Sequence, residues 1–364
     1  MRRRTLLTGA LAVAIAQAAC QNQAAALRLT LLKDSLPSRL VQAFRASQGD
    51  DLRLRLDTQS RIVDLFQRLQ MAQQQGAVGA NWSGLGDYWL EAAIVQGLIQ
   101  PIAAERVPQW AALPEAWSGL LRRDRAGRPT PGGNLWAVPY RWGCLTMVYA
   151  RAPFRRLGWE PTRWQDLWRS ELAGRIALPD HPRVTLGLVL KSLGESANRP
   201  DPERAAGLTE ALQGLRSQPR LYTDTHYLEA LLQGDLWAAV GWSTDIRPVV
   251  AQYRQLAAVV PQPGTVLSAD VWVRPQGQPT TWDEAEAAWL SYWWQAETLV
   301  PMSLFSRGLP PQLLSDRPLP AELKDATLLR PDPAQLAQSE FLTPLPTAAI
   351  DRYAALWETL RRNE

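Results

Sequence analysis

The sequence predicts an α/β fold of two lobes, each a largely parallel sheet with helices on both faces. Three observations carry that expectation. The chain opens in β-α-β-α order, with residues 27–32 reading as a strand and Leu40, Val41 and Phe44 lining one helical face. Leu52, Leu54 and Leu56 then alternate like a strand, and Ile62, Leu65, Phe66 and Leu69 recur at helical spacing. Alternation of this kind builds parallel sheets covered on both sides. The third observation is size: 364 residues, 46% hydrophobic and 20% charged, exceed what one hydrophobic core covers.

The rhythm continues with an apolar stretch at residues 77–81, a loop at residues 82–86 and a helix for which Asp87 is a fitting N-cap. Ligands in such sheets bind beyond the carboxyl ends of strands, so residues 82–88 form a candidate binding loop. Thr162-Arg163-Trp164-Gln165 and Thr281-Trp282-Asp283-Glu284 have capping-box spacing and predict helices from near Arg163 and Trp282. Strand-like segments fall at residues 175–178, 236–241 and 270–273, the last alternating polar and apolar. Residues 310–346 are proline-rich and expected to wrap the surface before a closing helix over 348–361.

The first residues read as an export signal. Three arginines at positions 2–4 precede a small, apolar run that breaks at Thr8 and Gly9 and stops at Gln17. That is short of the roughly 20 residues a bilayer span needs. Arg2-Arg3-Arg4-Thr5-Leu6-Leu7 resembles a twin-arginine motif, and a general secretory signal fits as well. Ala18-Ala19-Cys20 matches the end of a lipobox except at Gln17, and makes Cys20 the candidate lipidation site. The alternative is cleavage at an Ala-x-Ala site such as Ala24-Ala25-Ala26. Residues 1–19 are then the signal and 20–26 a tether.

Removing residues 1–19 takes away three arginines and no acid, which lowers the formal charge from +4 to +1. The basic balance therefore belongs to the signal, and no basic domain is left for nucleic acid. With Cys20 and Cys144 the only cysteines, disulfides do not hold the fold. The only histidines, His181 and His226, have no partner at metal-ligand spacing, so no His/His or Cys/His metal site is expected. Nor does the chain contain a Gly-x-Ser-x-Gly elbow, a phosphate loop or a dinucleotide fingerprint. No cofactor is expected. The 17 tryptophans are the unusual feature of the composition. Trp289, Trp293 and Trp294 share a helix with Leu290, and Trp164, Trp168 and Leu172 repeat at helical spacing, so both sets read as packing.

Gly97-Leu98-Ile99-Gln100-Pro101-Ile102, Asn134-Leu135-Trp136-Ala137-Val138-Pro139-Tyr140-Arg141-Trp142-Gly143, the stretch Thr162 to Ile176, and Gly234-Asp235-Leu236-Trp237-Ala238-Ala239-Val240-Gly241-Trp242 resemble the spermidine/putrescine-binding proteins of polyamine ABC importers. The resemblance implies a type II periplasmic-binding fold with a central ligand cleft and crossing hinge strands near residues 138–148 and 268–273, with a third crossing near Gly308. Lobe 1 would comprise residues 27–142 and about 270–308, and lobe 2 residues 143–269 and about 309–364. It implies a periplasmic receptor, monomeric, whose partners are a small polar solute and an importer permease, with the membrane reached through Cys20 if lipidated.

Carried over residue by residue, Asp270 falls on the amine-binding aspartate, Trp242 on a cleft aromatic and Tyr88 on a tyrosine of the first binding loop. Asp34, Ser35, Asp87, His181, Trp142 and Ser268 complete the candidate ligand-binding set. Several positions depart from the family pattern. Lys33 is a cation in the first strand's loop where the family has a tryptophan, His181 and Val184 replace two acids, and Ser268 replaces an aromatic. A polyamine would be short of counter-charges, and an unpaired ammonium in a cleft is costly. The solute is thus expected to be a polyamine-like cation or another small polar molecule. The alternatives are an exported enzyme using Asp87 with Asp270 as an acid/base pair, and a sensory or scaffold lipoprotein. Outside the cleft reading, Asp270 could cap a turn or pair with Arg274.

Overall fold

The computed structural model describes residues 26–49, 52–76, 79–324, 326 and 329–361. Residues 1–19, expected to be an export signal, and Cys20 lie outside the described residues. Nine strands carry the architecture: β1 (Ala26–Leu32), β2 (Arg53–Gln59), β3 (Trp82–Gly86), β4 (Ala137–Ala150), β5 (Ile176–Leu178), β6 (Pro219–Tyr222), β7 (Ala238–Trp242), β8 (Leu256–Val259) and β9 (Val266–Pro275). They run in the order β2-β1-β3-β9-β4-β7-β5-β6, with β8 on β4 and two-residue strands on β9 completing an eleven-stranded sheet among the described residues.

The wings are parallel, β2-β1-β3 on one side and β7-β5-β6 on the other. Between them β9 runs antiparallel to both β3 and β4, and β4 antiparallel to β7. The expected largely parallel sheet is therefore two parallel wings sewn together by an antiparallel seam. β4 serves both wings: Ala137 to Cys144 pair with β9, and Leu145 to Tyr149 pair with β7. Thirteen of its 14 residues are buried.

One hydrophobic cluster covers β1, β3, β9 and the start of β4, with Trp272, Trp289 and Trp293 fully buried, and continues onto one face of β7. A second cluster fills the other face of β7 and β5 beneath the helices Pro182–Ser192 and Thr347–Arg361. The tryptophans are packing residues as expected. Trp289 meets Phe44 edge-on at 5.0 Å and Trp272 at 5.7 Å, which locks the helix Glu284–Tyr292 onto the first wing.

Several local expectations are corrected. Residues 82–86 are not a loop but the buried strand β3, held between a parallel ladder to β1 and an antiparallel ladder to β9. Of the apolar stretch expected at residues 77–81, residues 79–81 precede it without strand structure. The helix from Arg163 is instead a 3-10 turn, Trp164–Trp168, followed by a second, Ser170–Leu172. Asp166, rather than Gln165, accepts there from the backbone of Thr162 and Arg163. The helix from Trp282 begins at Glu284, because Asp283 and Glu286 form the reciprocal cap. β9 does not alternate in burial, since Val271, Trp272 and Val273 are all buried. The proline-rich segment does more than wrap the surface: Leu313, Leu314 and Leu323 enter the core.

Gly241 on β7 lies directly beneath the Tyr227 phenol, and a Cβ would collide with the ring. Gly241→Ala is expected to cost about 1–3 kcal/mol, the usual penalty of overpacking. The measurement is the urea midpoint, and an unchanged midpoint would mean the phenol is free to move.

Candidate functional site

The β4–β9 seam contains an irregularity that creates the site. Proline has no N–H for a ladder, so within sheets it falls at edges and bulges. At Pro139 the register slips: Asp270 faces Arg141 while Val271 faces Pro139, which leaves Tyr140 as the extra residue. The Pro139 carbonyl instead accepts from Trp294 Nε1 at 2.9 Å. The bulge brings both Tyr140 and Arg141 near Asp270. Arg141 Nε donates to Asp270 Oδ2 at 2.5 Å, with the arginine side chain 3% exposed and the aspartate 14%. Burial alone would lower the guanidinium pKa, yet Asp270, Tyr140 and Asp245 hold it above the ordinary arginine value. Burial raises the Tyr140 hydroxyl, as does Asp270, while Arg141 and Ser35 pull it down.

Close backbone approach seals this centre. A Cβ on Gly308 would lie 3.1 Å from Arg141 Cδ, and Leu309 exchanges both backbone hydrogen bonds with Trp142. Gly143 admits Ser243, whose hydroxyl accepts from Cys144 N at 3.0 Å. This positions the first turn of the helix Ser243–Gln252 and with it Asp245. Asp245 opens onto solvent but is hemmed in by protein, and burial raises its carboxyl. Arg141 and Arg307 oppose that rise, and Asp270 adds to it. At the mouth, Arg307 pairs with Asp34 at 3.0 Å, both about half exposed.

On the other rim, Tyr88 and His181 meet edge to face at 5.2 Å, joining the segment after β3 to the segment after β5. Burial lowers the His181 imidazole pKa, Arg183 adds to that, and Asp224 and Asp180 oppose it. Trp242, half-buried at the end of β7, pairs with Leu145 of β4.

Of the residues expected to line the cleft, Asp270 and Asp34 are in the ion pairs with Arg141 and Arg307, Tyr88 and His181 meet edge to face, Trp242 is half-buried at the end of β7, and Ser35 is buried beside Tyr140. Trp142 does not face it: its side chain is 1% exposed and its indole donates to the Pro310 carbonyl. Asp87 is no N-cap. It is buried, and Oδ1 accepts from Ala269 N at 2.9 Å and Ser268 Oγ at 3.2 Å, so both it and Ser268 are held within the seam. Asp270 pairs with Arg141, not with Arg274, which is taken by Glu286. Arg141, Tyr140, Asp245 and Arg307 were missed. The proline inside a strand pattern flagged the first two, and Asp245, one turn beyond the carboxyl end of β7, follows from the strand-end rule. Among the described residues no group of three His, Cys, Asp or Glu could hold a metal, and no helix is long and apolar enough to cross a membrane.

Two wings joined by a seam of crossing strands, with charged and aromatic side chains from both around one cleft, define a two-lobed binding protein. The fold is the type II periplasmic-binding fold. The chain belongs to the family of bacterial extracellular solute-binding proteins, whose model matches residues 39–331. Over 253 residues it is 21% identical to the spermidine/putrescine-binding periplasmic protein 1 of Haemophilus influenzae, covering 70% of this chain and 65% of that protein. Over 155 residues it is 25% identical to the putrescine/cadaverine-binding protein of Pseudomonas aeruginosa, covering 40% of this chain and 44% of the relative. The chain thus spans less than two thirds of either curated relative. A solved spermidine/putrescine substrate-binding protein, PotD of Streptococcus pneumoniae, aligns with a TM-score of 0.76 at 21% identity, covering 92% of this chain and 98% of that one.

Burial raises the Asp87 carboxyl to about 6, with Asp270 adding to the rise and Ala269, Arg123 and Ser268 opposing it. Because the folded protein holds this proton more tightly than the unfolded chain, its contribution is complete below pH 4 and is lost as pH rises through 6. Asp87→Asn keeps the acceptor oxygen and removes the titration. Stability curves of the two proteins are expected to diverge by about 3 kcal/mol between pH 4 and 7. Parallel curves would show that Asp87 is ionised without penalty.

Proposed function

We propose that the protein is the solute receptor of an ABC importer and binds a small amine-bearing solute between its lobes. The observation that carries this reading is the placement of Asp245, just beyond the end of β7 in the second wing, within electrostatic reach of Asp270 in the seam. With Asp34 and Asp224 they outnumber the cleft cations Arg141, Arg183 and Arg307, and a cationic group answers that excess. Tyr88 and Trp242 offer ring faces to an alkylammonium chain. The names of the curated relatives, putrescine/cadaverine-binding and spermidine/putrescine-binding, agree with an amine.

Closure moves residues 27–142 with about 270–308 against residues 143–269 with about 309–364, and the closed monomer docks on the permease. A ligand favours closure only through contacts that are stronger in the closed form, and the Tyr88–His181 contact is one that the rims make with each other. Residues 1–19 are an export signal, and Cys20 is a lipidation site that tethers the receptor through residues 20–26.

A thermal-shift screen of the exported protein against amines, amino acids, sugars and oxyanions is expected to single out amine-bearing compounds. A ligand at a hundredfold its Kd raises stability by about 2.7 kcal/mol. Asp245→Asn is expected to weaken that ligand about tenfold, the loss of one charge-assisted contact. A shift by sugars or oxyanions alone, or unchanged affinity in the variant, would remove the amine from the reading. For the tether, intact-mass spectrometry should find an acylated N-terminus at Cys20, whereas a free N-terminus beyond it excludes lipidation.

A further inference from the structure

At the mouth of the cleft Arg307 Nη2 donates to Asp34 Oδ2 at 3.0 Å, with both side chains about half exposed. Exposed ion pairs contribute little when two long side chains must be fixed in one geometry. This pair differs because both backbones are already held. On the acid's side, Asp34 stands at φ +58°, in the left-handed region that aspartate and asparagine tolerate better than most residues. Ser35 N donates to the Leu32 carbonyl at 3.1 Å and Lys33 N to the Gln59 carbonyl at 2.8 Å, so the turn is pinned on both sides of Asp34.

On the arginine's side, the helix Ala296–Phe305 ends just before Arg307. Arg247, buried on the helix after β7, donates Nη2 to the carbonyls of Leu304 at 3.1 Å and Ser306 at 2.7 Å, the service a basic side chain performs at a helix C-terminus. Ser306 Oγ lies 2.6 Å from the carbonyls of both Met302 and Gly308. Gly308 packs against Arg141, and Leu309 is bonded both ways to Trp142. The Arg307 side chain thus projects from a rigid strap towards a carboxylate two residues beyond the carboxyl end of β1. Ligands of such sheets bind at that end.

We propose that Arg307 is a resident competitor: in the ligand-free receptor it occupies Asp34, and the ammonium of an incoming solute binds there by displacing it. This rests on the reading of the cleft as a receptor site for an amine-bearing solute and adds how the site sets its threshold. A neutral solute cannot replace the pair it breaks, so Arg307 is a specificity-determining residue that reserves Asp34 for cations. The displaced guanidinium is already half in water and completes its hydration on release.

The test is a double-mutant cycle read by calorimetric titration of the exported protein with the straight-chain diamines putrescine and cadaverine. Both positions are exposed, and asparagine tolerates the left-handed turn, so the variants should melt within about 2 °C of wild type. Arg307→Gln should tighten the better-bound diamine about three- to fivefold. Asp34→Asn should weaken it about threefold in the wild-type protein and about tenfold in the Arg307→Gln protein, because only there does Asp34 await the ligand unpaired. In the Asp34→Asn background, Arg307→Gln should then change affinity by less than about twofold. Wild-type binding should also depend less on salt than binding by Arg307→Gln, since one ion pair replaces another. An equal gain from Arg307→Gln with and without Asp34 would mean charge repulsion alone and would overturn the inference while the receptor reading stands. Weaker diamine binding by Arg307→Gln would do the same. If neither diamine binds, the best amine of the thermal-shift screen takes their place in the cycle, and silence of every amine overturns both.

Discussion

The ion pair between Arg141 and Asp270 is the constraint on which the cleft depends. It forms across the seam that joins the two wings, at the one place where the ladder slips. It is nearly dry, and breaking a buried pair by removing one partner costs about 3–5 kcal/mol. Three other features converge on it. Pro139 produces the slip that brings Tyr140 and Arg141 to Asp270, Gly308 admits the backbone that covers the arginine, and Gly143 admits the helix that carries Asp245. Within the motif Val138-Pro139-Tyr140-Arg141-Trp142-Gly143, Pro139, Arg141 and Gly143 thus have separate mechanical tasks, as does Trp142, whose indole ties the strand to Pro310.

Much of the fold was legible because hydrophobic periodicity reports on elements that bury one face. The opening strands and helices and the closing helix lie where the pattern puts them, whereas Trp293 and Trp294, expected on the helix with Trp289, follow its last residue, Tyr292. The pattern fails where burial is two-sided or where the chain turns within a few residues. β3 reads as a loop because Gly84 and Gly86 are weak strand formers, and the ladders to β1 and β9 that hold it are long-range pairings the local pattern does not report. The 3-10 turn at Trp164 reads as an α-helix because capping spacing does not distinguish the two, and the observed cap uses Asp166 instead.

The site was legible in part, and for an identifiable reason. Residues at strand ends can be placed from topology, which is why Asp270, Trp242 and Tyr88 were within reach. Partnership cannot be placed in that way. No spacing in the sequence relates Arg141 to Asp270, and a reading that assigns Asp270 to a ligand without its internal partner overstates the negative charge available. Asp87 shows the same limit from the other side: it stands in a promising loop, but its carboxylate is spent on the backbone of Ala269.

Because β4 is one continuous strand shared by both wings, the segment that would bend on closure also carries the groups that line the cleft. Apparent affinity is the intrinsic value scaled by the fraction of molecules already in the competent state. Substitutions at positions 139–143 therefore act on two quantities at once, what the cleft prefers and how often it is shaped to receive anything. Drift in this short stretch could alter the resting balance of the receptor and its selectivity in a single step, a coupling that a protein with separate hinge and binding residues would not have.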